Sequence, residues 1–122
     1  MKTAIIKNEN TKEVVLSFIH ALNTEDFKAA RNYVSDDLKF IGVLGTREGA
    51  EAYFQDMERM KLKYDIKKVF VDDHDVCLFY DIAIAGVTVF SCGWYHLENE
   101  KISWFRVVFD PRPILETSNK KS

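Results

Sequence analysis

The chain has 122 residues, 47% hydrophobic and 30% charged, with a formal net charge of -2, which is enough for one domain that buries a core without metal or disulfide staples. That balance excludes disorder, and no apolar run approaches the ~20 residues of a membrane span. The basic residues are scattered apart from Lys61, Lys63, Lys67 and Lys68, which read as the solvated side of a strand rather than a nucleic-acid surface.

Residues 1–10 hold one short apolar patch, Ala4 to Ile6. It is too short for a signal-peptide core and reads as an N-terminal extension to a domain over residues 11–115. Thr11 suits a helix N-cap, and Val14, Val15, Phe18, Ile19 and Leu22 follow at helical spacing. Asn23 ends that helix, and Thr24 is expected to cap a second, with Glu25 and Asp26 in its first turn. Phe27, Ala30, Tyr33 and Val34 would be its buried side. Ser35-Asp36-Asp37 then stops it, and Leu38 to Val43 reads as a short strand. After Gly42 and Gly45, Thr46 is expected to cap a third helix that turns Ala50, Tyr53, Phe54 and Met57 inward, with Met60 a further candidate.

From Leu62 the period becomes strand-like. The predicted strands are Lys63 to Val71, Asp75 to Ala85, Val87 to Leu97 and Ile102 to Phe109. Their connections are short enough for hairpins, which predicts an antiparallel meander. Asp110-Pro111-Arg112-Pro113 ends the last strand, because neither proline can donate to a ladder, and residues 116–122 read as a polar, flexible tail. The expected class is therefore α+β, with three helices on one face of a curved antiparallel sheet and room for a cavity between them. Cys77 and Cys92 lie in strand-like runs without CxxC or Cys/His spacing, and read as reduced, buried thiols of a cytoplasmic protein.

Leu22-Asn23-Thr24-Glu25-Asp26-Phe27, Asp36-Asp37-Leu38-Lys39-Phe40 and Gly45-Thr46-Arg47-Glu48 resemble the opening of nuclear transport factor 2-like (cystatin-like) proteins, in particular the SnoaL-like polyketide cyclases. Lys101 to Pro111 is similar to that family's last strand. The resemblance implies a cone-shaped half-barrel whose pocket lies between helices and sheet, commonly dimerised through the outer sheet face. The superfold hosts isomerases, hydrolases, cyclases and non-catalytic binders alike. Carried over by position, the oxyanion-binding tyrosine of ketosteroid isomerases falls at Phe18. Their base falls near Gly42 and their second pocket acid near Gly93, while the carboxylate of limonene epoxide hydrolases falls at Val107. None of these residues can do the corresponding chemistry.

With Ala85-Gly86 as a two-residue turn, Leu78, Tyr80 and Ile82 share a face with Val89, Ser91, Gly93 and Tyr95, opposite Phe79, Asp81, Phe90, Cys92, Trp94 and His96. A bulged connection over residues 98–101 would add Phe105, Val107 and Phe109 to the first face, and an even one would add them to the second. The resemblance favours the bulge. The expected pocket is then Phe18, Leu22, Phe40, Tyr53, Leu78, Tyr80, Ser91, Tyr95, Phe105, Val107 and Phe109. It suits a small apolar or aromatic molecule oriented by tyrosine hydroxyls, unless those residues simply fill the core.

Asp81, Tyr80 and Tyr95 are the candidates for proton transfer. Asp81 turned inward would be a desolvated acid or base; turned outward, it would pair with Arg106 or a partner subunit. His96, at a strand end, could act at the pocket mouth or be a surface residue. His20, His74 and His96 lack ligand spacing, and no glycine-rich phosphate loop follows a strand, so no metal and no nucleotide cofactor are expected. Three readings follow: a small-molecule pocket protein and homodimer, a cofactor-independent cyclase, isomerase or hydrolase, or a structural protein-interaction domain.

Overall fold

The computed structural model describes residues 2–121, with side chains from residue 10 to residue 116. Four helices and six strands follow in the order α1 (Lys2–Asn23), α2 (Phe27–Arg31), β1 (Val34–Ile41), β2 (Thr46–Glu48), α3 (Ala50–Met60), β3 (Lys63–Asp72), β4 (Asp75–Ile84), β5 (Val87–Glu98), β6 (Lys101–Phe109) and α4 (Arg112–Lys121). The sheet is strongly curved and not closed, in the order β2-β1-β6-β5-β4-β3.

The apolar stripe of α1 explains its placement. Val15, Phe18, Ile19 and Leu22 are all buried, laid across the concave face of β3, β4 and β6. Thr11 does not begin this helix but stands within it, buried, so the expected extension is helical from Lys2. Thr24 does not cap α2. Its hydroxyl donates back to the carbonyls of His20 and Ala21, at 3.1 and 3.2 Å, and so finishes α1. The α2 cap is Asp26, whose carboxylate accepts from the Ala29 amide at 3.1 Å. That helix stops at Arg31, and Val34 opens β1 instead of closing a helix.

Thr46 likewise caps nothing. It pairs in β2 against Ile41, and α3 starts after Gly49, whose φ of 93° suits glycine. Asn23 clips the end of α1 to the first residues of β3. Its side chain accepts from the Tyr64 amide at 2.7 Å and donates to the Tyr64 carbonyl at 2.9 Å.

Strands β3 to β6 form the expected antiparallel meander. Ala85 and Gly86 make a two-residue turn with φ of 50° and 81°, the primed geometry that matches strand twist. The sheet is not wholly antiparallel, because β1 lies parallel to β6. Register shifts between Ile66 and Lys68, between His96 and Leu97, and along β1 are the bulges that bend it into a half-cone. Behind β6, the backbone of α4 occupies the segment expected as a tail, and Ser122 lies outside the described residues. Asp110 takes the Arg112 amide at 3.1 Å and its guanidinium at 2.9 Å, which fixes that exit. No helix of the described residues is long and apolar enough to cross a membrane.

Candidate functional site

Strand alternation and one bulge decide what faces the helices. His96 pairs with Trp104 and Leu97 with Ile102, so Ser103 is the extra residue. Tyr95 therefore stands opposite Phe105, Gly93 opposite Val107 and Ser91 opposite Phe109. The bulge lies within β6 rather than in the connection, which is a tight turn at Asn99-Glu100 with φ of 53° and 63°.

The inner face holds a continuous aromatic cluster. Tyr95 stacks on Phe105 with centroids 4.7 Å apart, and Phe105 in turn meets Phe40 at 5.0 Å and Tyr53 at 5.3 Å. Phe18 packs edge-on against Tyr95 and Phe105 at 6.4 and 6.0 Å. Tyr80 and Tyr95 join hydroxyl to hydroxyl at 2.7 Å. These two phenols therefore satisfy one another.

Gly93 makes that contact possible. A Cβ there would stand 2.2 Å from the Tyr80 hydroxyl and 2.8 Å from the Tyr95 ring. The place where the isomerase resemblance would put an acid is filled across the sheet by a phenol. At Gly42 a Cβ would meet the Phe40 ring at 2.9 Å, so an aromatic edge occupies the other carry-over position as well.

Among the described residues, the inner face leaves open a cavity of about 70 Å³, between α3 and the ends of β3, β4 and β6. Helix α3 contributes Tyr53, Asp56, Met57 and Met60. Leu62 comes from the link before β3 and Tyr64 from its start, Ile82 and Ile84 from the end of β4, and Phe40, Phe105, Val107 and Phe109 from β1 and β6. Of the expected pocket residues, Phe40, Tyr53, Phe105, Val107 and Phe109 border this space. Phe18, Leu22, Leu78, Tyr80, Ser91 and Tyr95 lie beneath it in filled core. Asp56, Met57, Met60, Leu62 and Tyr64 are not in the expected lining. Met57 and Met60 belong to the helical stripe, which marks the cavity wall as well as the core, whereas Asp56, Leu62 and Tyr64 lie outside it.

Burial holds the phenols of Tyr53, Tyr64, Tyr80 and Tyr95 well above their ordinary range, so all four stay protonated donors. The carboxylate at the cavity is Asp56, clamped by Arg47 at 2.7 Å and Arg59 at 3.2 Å. Asp81 faces the other way. It lies on the outer surface, 3.7 Å from Lys67 on β3 and not paired with Arg106. His96 is also outside the cavity, bonded to Asp75 at 2.7 Å and stacked on Trp104. Among the described residues, no three His, Cys, Asp or Glu side chains gather as metal ligands.

The two cysteines are neither deeply buried nor apart. Both are partly exposed on the outer face, sulfur to sulfur at 3.3 Å. The same face exposes Phe70, Phe90, Trp94 and Val108, each between 45% and 63% open.

The SnoaL-like domain family matches residues 15–105. A nuclear transport factor 2-like protein of unknown function from Cytophaga hutchinsonii superposes with a TM-score of 0.85 at 50% identity, over 86% of this chain and 94% of that one. An LEH-like epoxide hydrolase from M. tuberculosis gives 0.74 at 21% identity, over 89% of each chain. A de novo designed protein with a curved sheet also gives 0.74 at 21%, over 91% and 93%. No curated protein matches in sequence. Since an enzyme and a designed chain share this backbone equally well, the backbone alone carries no activity.

Proposed function

The chain belongs to the SnoaL-like domain family, and from that premise we propose that it is a small-molecule pocket protein which takes one apolar or aromatic ring at the inner cavity. The observation that supports this is an apolar chamber with the Tyr53 and Tyr64 phenols in its wall and one fixed carboxylate at its lip. At about 70 Å³ the space lies below the ~300 Å³ of drug-sized sites and below the ~150 Å³ that admits benzene elsewhere. A ligand therefore has to displace a side chain. Met60, 40% exposed at the lip, is built for that, since an unbranched thioether repacks at low cost.

The enzymatic alternative, a cofactor-independent cyclase, isomerase or hydrolase, needs a proton-transfer group at the same cavity. Asp56 is the carboxylate placed there, and two guanidiniums orient it. Single-ring phenols, indole and limonene-sized terpenoids should raise the melting temperature saturably, and Val107→Trp should abolish the effect by filling the chamber. Asp56→Asn should leave binding within about threefold. No saturable shift with any probe, in a chain that melts cooperatively, would favour a filled, structural interaction domain. Loss of a measured turnover on Asp56→Asn would favour the enzyme.

The same reading includes a homodimer formed through the outer sheet face, supported by its exposed Phe70, Phe90, Trp94 and Val108. It also includes a cytoplasmic location, supported by two cysteines that stand free although in contact.

A further inference from the structure

We propose that Cys77 and Cys92 form a reversible dithiol–disulfide pair on the outer face of the sheet, oxidised by exchange with a small disulfide of the glutathione class. Their sulfurs stand 3.3 Å apart, so a bond of about 2.05 Å needs them to close by little more than about 1 Å. Cys77 pairs across the ladder with Trp94 and Cys92 with Phe79, so the cysteines lie on a diagonal of adjacent strands. Diagonal positions are wider than a relaxed disulfide prefers, and a bridge there stores strain. A strained, partly exposed bridge is readily reduced, which marks it as labile rather than structural.

Among the described residues, no third His, Cys, Asp or Glu side chain gathers with the pair to complete a metal site. Both thiols open onto a groove of about 410 Å³ flanked by Phe70, Trp94, Arg106 and Val108, which leaves them within reach of a small disulfide from solvent. Burial and the neighbouring Cys77 push the Cys92 thiol up to about 11. That leaves little Cys92 thiolate near neutral pH and slows its own attack, while the 3.3 Å proximity of the two sulfurs favours the closing step once a mixed disulfide has formed.

The chemistry balances in two exchanges. One cysteine thiolate attacks a sulfur of the oxidised tripeptide, forms a mixed disulfide and releases one tripeptide thiolate. The second cysteine attacks the protein sulfur of that mixed disulfide, closes the Cys77–Cys92 bond and releases the other. The protein loses two protons and two electrons, and the tripeptide disulfide is reduced to two thiols.

The test incubates the reduced chain with oxidised glutathione at graded ratios to reduced glutathione, alkylates it and weighs it. Val108→Asp, which keeps the face open if subunits associate there, is run in parallel. Both cysteines should escape alkylation together, with a mass lower by two hydrogens and no cross-linked chains on a non-reducing gel. Trp94 emission should fall and recover with dithiothreitol, because a disulfide against the indole quenches it. Cys77→Ser and Cys92→Ser should each retain a stable glutathione adduct, having no neighbour to expel it. Full alkylation in both the wild type and Val108→Asp would overturn the proposal, as would persistent adducts on the wild type or cross-linked chains.

Discussion

Gly93, Tyr80 and Tyr95 form a unit in which each residue explains the others. The missing side chain at Gly93 admits the Tyr80 hydroxyl, and that hydroxyl reaches Tyr95 at 2.7 Å. Gly93→Ala should destabilise the chain by roughly 1–3 kcal/mol through overpacking. Tyr80→Phe should cost a similar amount by leaving the Tyr95 phenol without its partner. The double variant should cost less than the sum, since Tyr80→Phe removes the atom that the new methyl strikes. Urea unfolding of the four chains measures this, and strict additivity would show that Tyr80 and Gly93 do not share the space. Alternation alone put both tyrosines on the inner face. That their hydroxyls meet is a distance, which no spacing reveals.

At the scale of elements, the long strands were legible because two-residue periodicity survives any neighbour. The helix starts were not. Thr24 and Thr46 have the right chemistry for caps, but Thr24 found carbonyls behind it and Thr46 found a strand beside it. The β1–β6 parallel pairing joins segments with about half of the chain between them, so no local pattern encodes it. The cysteine contact, by contrast, could have been found. Once Ala85-Gly86 is a two-residue turn, Cys77 falls opposite Trp94 and diagonal to Cys92.

Asn23 ties the end of α1 to β3, because one amide satisfies both the donor and the acceptor of Tyr64. Asn23→Ala should cost roughly 1–3 kcal/mol. It should also speed amide exchange at Tyr64, while the β4–β5 ladder stays protected. Uniform loss of protection would mean that the clip acts on the whole fold rather than on one edge.

Two properties belong to the whole molecule, and the first is its response to alkali. Tyr53, Tyr64, Tyr80 and Tyr95 all keep their protons in the folded chain beyond the usual phenol range, with burial the largest cause. Above about pH 10 the unfolded chain would release those protons and the folded chain would not. Stability is therefore full below that pH and falls as pH rises through it. Tyrosinate absorbance for these residues should appear in the same cooperative step as the loss of circular dichroism. A gradual rise with native dichroism intact would mean that the cluster is open to water.

The second is association. Helices cover the concave side of the sheet, while the convex side presents Phe70, Phe90, Trp94 and Val108 at 45–63% exposure around the Cys77–Cys92 groove. Trp94 and Trp104 pack edge to face at 4.9 Å and form a rigid aromatic ridge on that side. A contiguous apolar surface on a chain with a net charge of -2 has little repulsion to keep copies apart and loses hydration cost when covered. In the proposed homodimer, a second copy related by a two-fold axis would cover it with the same surface. Trp94→Asp should therefore shift sedimentation from dimer to monomer at micromolar concentration, without a comparable change in a side chain of the concave face. Asp81→Asn, on the same convex side beside Lys67, should change the dimer constant by no more than a few-fold, because an exposed ion pair is worth little. A wild-type chain that sediments as a monomer across that range would leave the convex face for another partner.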